Sequence, residues 1–286
     1  MNNVRPVVWT VPDIFDAPLQ KNWTNINYNQ RPAAYVCLLN MDCHIRAFGA
    51  CMIGGFPHRP EVSFFYHALR QLQSETRHHL VPSLFTFGGF PVTRVPKHLK
   101  ARCLDARPDI VVLQFASSDL VVPVRRYDHG GSQEIHRNVS AQMPSLADWC
   151  RWQMQALIGD VRRLPPVTPV EVYLQTMEQM TGTLLESGIT PVVLSPFVFG
   201  AWRSDRVARF AAGRLPARLA ALPGAVYVDA YAALDRQPRR QMLLQDGSHL
   251  SLAGHRVVAA AVVPHLKNVL LNREKVSPPH GFVVPS

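Results

Sequence analysis

The clearest indication of the fold is the stretch Pro108-Asp109-Ile110-Val111-Val112-Leu113-Gln114-Phe115. Its aliphatic residues follow one another without polar alternation. Such a run is typical of a strand that is covered on both faces, as in a parallel sheet flanked by helices. The sequence around it is therefore expected to supply further parallel strands and the helices that connect them.

Segments of strand and helix character alternate on both sides of this strand. Gly188 follows residues 170–187, which have helical spacing, at the position where a helix C-cap favours glycine. The alternation predicts right-handed βαβ crossovers and an α/β fold, a three-layer α/β/α sandwich around a central parallel sheet of five strands. The predicted strands are 44–48, 81–87, 108–115, 191–196 and 225–228, and the predicted helices are 61–74, 95–104, 170–187, 203–222 and 250–270.

This pattern divides the chain into three parts. Residues 43–272 are predicted to form the α/β domain, and 1–42 an N-terminal arm packed on it, with one strand-like piece at 34–39. Residues 273–286 are expected to form a C-terminal tail. A polar insertion at 121–143 interrupts the periodic segments and is interpreted as a lid that faces the substrate.

Composition excludes several classes of protein. The chain has 286 residues, of which 47% are hydrophobic and 17% charged, a balance that can bury a large core and excludes a disordered chain. No apolar run is long enough to predict a membrane span. The five cysteines form no Cys-x-x-Cys pair and the first residues do not resemble a signal peptide, so a reduced, cytoplasmic location is expected.

The net charge of +10 does not by itself indicate a nucleic-acid partner. Arg203, Arg206 and Arg209 fit the exposed face of a predicted helix, and no known nucleic-acid module accompanies them. The pairs Cys43-His44 and His78-His79 lack a second pair at ligand spacing, so no metal is expected. No organic cofactor is implied, and the sequence does not specify an oligomeric state.

Two motifs carry candidate chemistry. Gly49-Ala50-Cys51 directly follows the first predicted strand of the domain, and Asp246-Gly247-Ser248-His249 precedes the last helix. Ligands of parallel α/β sheets bind beyond the carboxyl ends of the strands. Both motifs fall at such an end, so Cys51 and His249 are expected to share one rim of the sheet.

Four short blocks in this order resemble those of the SGNH/GDSL hydrolases. The family's Gly-Asp-Ser turn is matched by Gly49-Ala50-Cys51, with cysteine in place of the nucleophilic serine. Its oxyanion-hole glycine is matched by Gly88 or Gly89, and its Gly-x-Asn-Asp block by Ala116-Ser117-Ser118-Asp119. The Asp-x-x-His block is intact, as Asp246 and His249.

The resemblance implies an ester hydrolase with a Cys-His-Asp triad. Cys51 would be the nucleophile that carries the acyl group as a thioester, His249 the general acid and base, and Asp246 the group that orients the imidazole. The N–H groups of Cys51 and of Gly88 or Gly89 would form the oxyanion hole. Ser118 stands where the family has an asparagine. The implied substrate is a small-molecule or carbohydrate acyl ester.

The departures at Ala50, Cys51 and Ser118 leave two other functions open. One is an acyltransferase that delivers the acyl group to a carbohydrate or another polar acceptor. The other is a binding module that keeps the fold without catalysis. Labelling of Cys51 by an acylating probe separates an enzyme from a binding module.

Several polar residues are expected to have structural roles. Asp119 is interpreted as tying loops together by hydrogen bonds, and His255 as capping or packing on the last helix. The cysteines outside the turn, which are Cys37, Cys43, Cys103 and Cys150, are expected to be core or incidental residues.

Overall fold

The computed structural model contains the predicted alternation of strands and helices. The structure describes residues 8–9, 42–76, 78–87, 91–115, 119–120, 145–147, 150, 154, 157, 168–197, 214–245, 247 and 249–276. The strands are β1 (Val8–Trp9), β2 (Asp42–Gly49), β3 (His79–Thr86), β4 (Ile110–Gln114), β5 (Thr190–Leu194) and β6 (Val226–Val228). The helices are α1 (Phe64–Glu75), α2 (Pro96–Arg102), α3 (Val170–Glu186), α4 (Arg214–Ala220), α5 (Ala230–Asp235), α6 (Arg239–Met242) and α7 (Leu252–Val276).

The sheet has the order β1-β3-β2-β4-β5-β6. The strands β3, β2, β4, β5 and β6 run parallel to one another, which confirms the predicted five-stranded parallel sheet. The short strand β1 adds a sixth, antiparallel strand at the edge beside β3, which the sequence did not predict. A strand of two residues is too short to leave a periodic pattern in the sequence, and only its hydrogen bonds to β3 define it.

Helices cover the sheet on both faces. One face packs against α1, α5 and α7 through a cluster that includes Ile45, Ile110, Val112 and Leu266. The other face packs against α2, α3 and α4, and its cluster includes Val111 and Leu113. Successive residues of β4 therefore point to opposite layers and are all buried, as the uninterrupted aliphatic run predicts.

Two helix boundaries differ from the predicted ones by three or more residues. Helix α1 begins at Phe64 rather than at residue 61, because Pro60–Val62 forms a short 3-10 turn and the Ser63 side chain accepts a hydrogen bond from the Tyr66 N–H as the N-cap. Helix α7 continues to Val276, into the segment predicted as a tail. Its Arg273 lies 2.5 Å from Asp109, so this end of the helix is held against the start of β4.

Three predicted features lie outside the described residues. They are the strand-like piece at 34–39, the insertion at 121–143 and the first part of the predicted arginine helix at 203–213. The described part of that helix is α4. None of the helices in the described residues combines the length and the apolar composition that crossing a membrane requires.

Candidate active site

The carboxyl ends of the three central strands lie side by side. Gly49 at the end of β2 pairs with Thr86 of β3 on one side and with Gln114 of β4 on the other. The N–H of Ala50 donates to the Gln114 carbonyl at 2.9 Å, and the N–H of Phe87 donates to the Gly49 carbonyl at 2.8 Å. The turn that follows β2 is thus anchored to both neighbouring strands.

Glycine is required at position 49 by the close approach of β4. A Cβ atom there would lie 2.3 Å from the carbonyl oxygen of Gln114. Real Cβ atoms do not approach a backbone oxygen so closely, so any side chain would push the two strands apart. The resemblance places Gly49 in the turn before the nucleophile, and its physical role there is to let two backbones touch.

Cys51 begins a short 3-10 helix, Cys51–Gly54, directly after this turn. The helix ends at Gly55, which has a left-handed φ of 76° and donates its N–H to the Met52 carbonyl at 3.1 Å. Met52 and Ile53 are fully buried, while Cys51 is partly exposed. Anchoring of the two apolar neighbours holds the Cys51 thiol at the rim of the sheet.

His249 lies on a closed loop that precedes α7. Leu243 and Leu250 form an antiparallel bridge at its base, and the Leu244 N–H donates to the His249 carbonyl at 2.9 Å. Gly247 takes a left-handed φ of 69° at the tip of the loop. Only 5% of the His249 surface is exposed. The loop therefore fixes the backbone of His249.

The structure brings Cys51 and His249 together at the carboxyl end of the sheet. The Cys51 Sγ lies 3.2 Å from the His249 Nε2, although the residues are 198 positions apart in the chain. A thiol and an imidazole at this distance can share a proton. This contact is the arrangement that a cysteine nucleophile and its base require.

Further imidazoles lie near His249. Burial and then the proximity of His249 lower the pKa of His58. Burial lowers the pKa of His255 to about 3, with smaller contributions from His58, His67 and His249. Burial thus keeps His255 uncharged at neutral pH.

The predicted structural roles of His255 and Asp119 are confirmed. His255 is fully buried on α7, and its Nδ1 accepts a hydrogen bond from the Phe64 N–H at 3.2 Å, which ties α7 to the start of α1. The Asp119 Oδ1 accepts from the Val92 N–H at 2.8 Å and from the Thr168 hydroxyl at 2.7 Å. Asp119 thus links two loops.

Two of the remaining cysteines are core residues. Cys43 and Cys103 are buried, and burial raises the pKa of each thiol to about 12. Cys150 is exposed, and Cys37 lies outside the described residues. Cys51 is therefore the partly exposed thiol of the described chain that also contacts an imidazole.

Four other predicted members of the site lie outside the described residues, and their roles stay predictions: Asp246, Gly88, Gly89 and Ser118. In the part of the chain that the structure describes, no group of three or more His, Cys, Asp or Glu side chains is arranged to hold a metal ion.

Phe56 is a neighbour of the pair that sequence reasoning did not find. Its ring centroid lies 5.0 Å from that of His249, with the planes inclined at 61°. No motif marks this residue, because its position against a ring from the far end of the chain arises only in the folded protein.

Comparison with known proteins finds similarity to solved structures only. No protein-family model matches the chain, and no curated protein sequence matches it. The chain is similar to a lipase/acylhydrolase from Enterococcus faecalis, at a TM-score of 0.56 and 15% identity over 79% of this chain and 96% of the other.

Two further solved structures agree with this likeness. A catalytic mutant of the acetylxylan esterase Axe2 from Geobacillus stearothermophilus matches at a TM-score of 0.54 and 16% identity, over 80% of this chain and 96% of the other. TesA matches at a TM-score of 0.53 and 14% identity, over 79% of this chain and 99% of the other. The protein therefore has the α/β/α fold of the SGNH/GDSL-type lipases and acylhydrolases.

Proposed function

We propose that the protein is an ester hydrolase in which Cys51 is the nucleophile and His249 the general acid and base. The observation that carries this proposal is the 3.2 Å contact between the Cys51 Sγ and the His249 Nε2 at the carboxyl end of the sheet. Its fold, shared with structures described as lipases, acylhydrolases and an acetylxylan esterase, agrees with ester chemistry.

The first half of the reaction forms a thioester. The His249 Nε2 accepts the thiol proton of Cys51, and the thiolate attacks the ester carbonyl carbon, so that a carbon–sulfur bond forms and the carbonyl oxygen becomes negative. When the tetrahedral adduct collapses, the bond to the ester oxygen breaks. The departing alkoxide takes the proton from the His249 imidazolium and leaves as an alcohol.

The second half releases the acid. His249 accepts a proton from a water molecule, whose oxygen attacks the thioester carbonyl carbon. Collapse breaks the carbon–sulfur bond, and the Cys51 thiolate recovers its proton from His249. In this scheme Asp246 orients the imidazole from the same loop.

The developing oxyanion would be stabilised by main-chain N–H groups. The Cys51 N–H is the first of its short helix, where N–H groups have no partner within the helix. The N–H groups of Gly88 or Gly89 and the Ser118 hydroxyl complete the proposed set. The substrate we propose is a small-molecule or carbohydrate acyl ester.

Acylation of the protein by p-nitrophenyl acetate tests the proposal. We expect one acetyl group per chain, attached to Cys51, with release of nitrophenolate faster than from free cysteine. Cys51→Ala should abolish the adduct, and His249→Ala should slow its formation by about two orders of magnitude or more.

Cys150→Ala is the matched control, since Cys150 is an exposed thiol of the same chain. Its removal should leave acetylation unchanged. Acetylation of Cys51 no faster than that of Cys150 would contradict the proposal and favour a binding module. If the acetyl group leaves Cys51 only when an alcohol or amine is added, the protein is an acyltransferase rather than a hydrolase.

A further inference from the structure

We infer that Phe56 is a positioning residue for the base of the proposed site. This inference rests on the proposed function and concerns how the imidazole of His249 is held against the thiol. It follows from two contacts of Phe56, one through its ring and one through its backbone.

The ring of Phe56 packs on His249. The centroids are 5.0 Å apart and the planes are inclined at 61°, the edge-on arrangement that aromatic rings prefer. Phe56 is partly exposed and His249 is nearly buried. The phenyl ring therefore covers part of the imidazole surface and limits rotation of the imidazole about its side-chain bonds.

The backbone of Phe56 is tied to the nucleophile's own turn. The Phe56 N–H donates to the Cys51 carbonyl at 3.3 Å, and the Gly55 N–H donates to the Met52 carbonyl at 3.1 Å. A side chain at position 55 would strain the left-handed backbone and lie 3.0 Å from both the Arg59 carbonyl oxygen and the Ser63 Cβ. The turn is thus closed on both sides, and the thiol and the phenyl ring share one rigid support.

Proton transfer needs the His249 Nε2 directed at the Cys51 Sγ. Because Phe56 and Cys51 belong to one turn, a ring pressed on the imidazole also sets its distance from the thiol. Misplacement of a catalytic group by about 1 Å can cost about a hundredfold in rate.

The experiment compares Phe56→Leu, Phe56→Tyr and the unmodified protein. With p-nitrophenyl acetate, we expect Phe56→Leu to lower kcat by about ten- to a hundredfold while KM changes by less than about threefold. Phe56→Tyr keeps the ring and should retain most of the rate. The second readout is the ratio of the alkylation rates of Cys51 and Cys150 by iodoacetamide at neutral pH, measured by mass spectrometry.

Alkylation reports on the thiol–imidazole pair without any ester. Phe56→Leu should lower the Cys51 to Cys150 ratio by about tenfold, since thiolate formation depends on the placed imidazole. Phe65→Leu is the matched control, because Phe65 is a buried ring of α1 that packs against Tyr66. It should leave the ratio unchanged. Protection of Cys43 and Cys103 verifies in each variant that the fold persists.

The experiment distinguishes failure of this inference from failure of the proposed function. If the unmodified protein alkylates Cys51 no faster than Cys150, the proposed function fails and this inference with it. If Cys51 is reactive but Phe56→Leu behaves like Phe65→Leu in both readouts, the role of Phe56 alone is overturned. Should Phe56→Leu expose Cys43, Phe56→Met, which keeps apolar bulk without a ring, replaces it and is interpreted in the same way.

Discussion

At the scale of single residues, the contact between Cys51 and His249 defines the candidate site. The Cys51 Sγ contacts the His249 Nε2, so the sulfur occupies the place where a nucleophile needs its base. Burial lowers the pKa of the neighbouring His58 and His255.

Cys51→Ser should change the leaving groups that the protein accepts. A thiolate leaves a tetrahedral adduct more readily than an alkoxide, because the group with the lower pKa departs faster. Adducts of alkyl esters should therefore return to substrate more often on Cys51 than on a serine. We expect the ratio of the rates with an aryl and an alkyl acetate to be about tenfold larger in the unmodified protein than in Cys51→Ser. Equal ratios would contradict this explanation.

At the scale of elements, the contact between β2 and β4 holds the nucleophile's turn. Gly49 lets the Gln114 carbonyl approach, and the Ala50 N–H donates to that carbonyl at 2.9 Å. The same pair of strands is buried between helix layers on both faces. Small changes at the end of β2 therefore act on stability and on the position of Cys51 together.

Gly49→Ala should destabilise the fold. The added methyl group would lie 2.3 Å from the Gln114 oxygen, and relief requires the strands to separate. We expect the free energy of unfolding to fall by about 1–3 kcal/mol, measured by urea denaturation. Gly182→Ala is the control, because a Cβ at this position of α3 meets no atom within 4 Å. It should stabilise the protein by about 0.5–1 kcal/mol. Equal effects of the two substitutions would refute the argument.

At the scale of the whole molecule, α7 connects the loop of His249 to the sheet. It follows the loop of His249, packs on α1 and α5, and reaches the start of β4 through Arg273 and Asp109. His255 connects its first turns to α1 through the Phe64 N–H. Burial of this imidazole favours its neutral form. Protonation of His255 therefore lowers the free energy of unfolding of the protein.

Acid should therefore destabilise the protein through His255. Its pKa is about 3 in the folded state and about 6.5 when unfolded, so below pH 6.5 the unfolded state binds the extra proton. The free energy of unfolding should fall by up to about 1.4 kcal/mol per pH unit between these values. The neutral amide of His255→Gln can still accept from Phe64, and this variant should lose that part of the slope. Urea denaturation from pH 7 to 4 measures it, and identical slopes would rule out His255 as the cause.

The layers of the fold and the candidate pair were predictable from local patterns in the sequence. The aliphatic run from Ile110 to Leu113 indicates that β4 is buried on both faces. Burial of a strand is visible in its local pattern of apolar residues. Parallel strands with motifs at their carboxyl ends then predicted that Cys51 and His249 would meet, and the structure places them 3.2 Å apart. Asp246, Gly88, Gly89 and Ser118 stay predictions from the resemblance.

Other contacts arise only in the folded chain, because no local pattern encodes them. The edge strand β1, the approach of the Gln114 carbonyl to Gly49, and the packing of Phe56 on His249 each join residues that are distant in the chain. Periodicity reports which face of an element is buried, but not which atoms meet there, because that depends on how several elements pack at once. The placement of the base beside the thiol is a property of that packing.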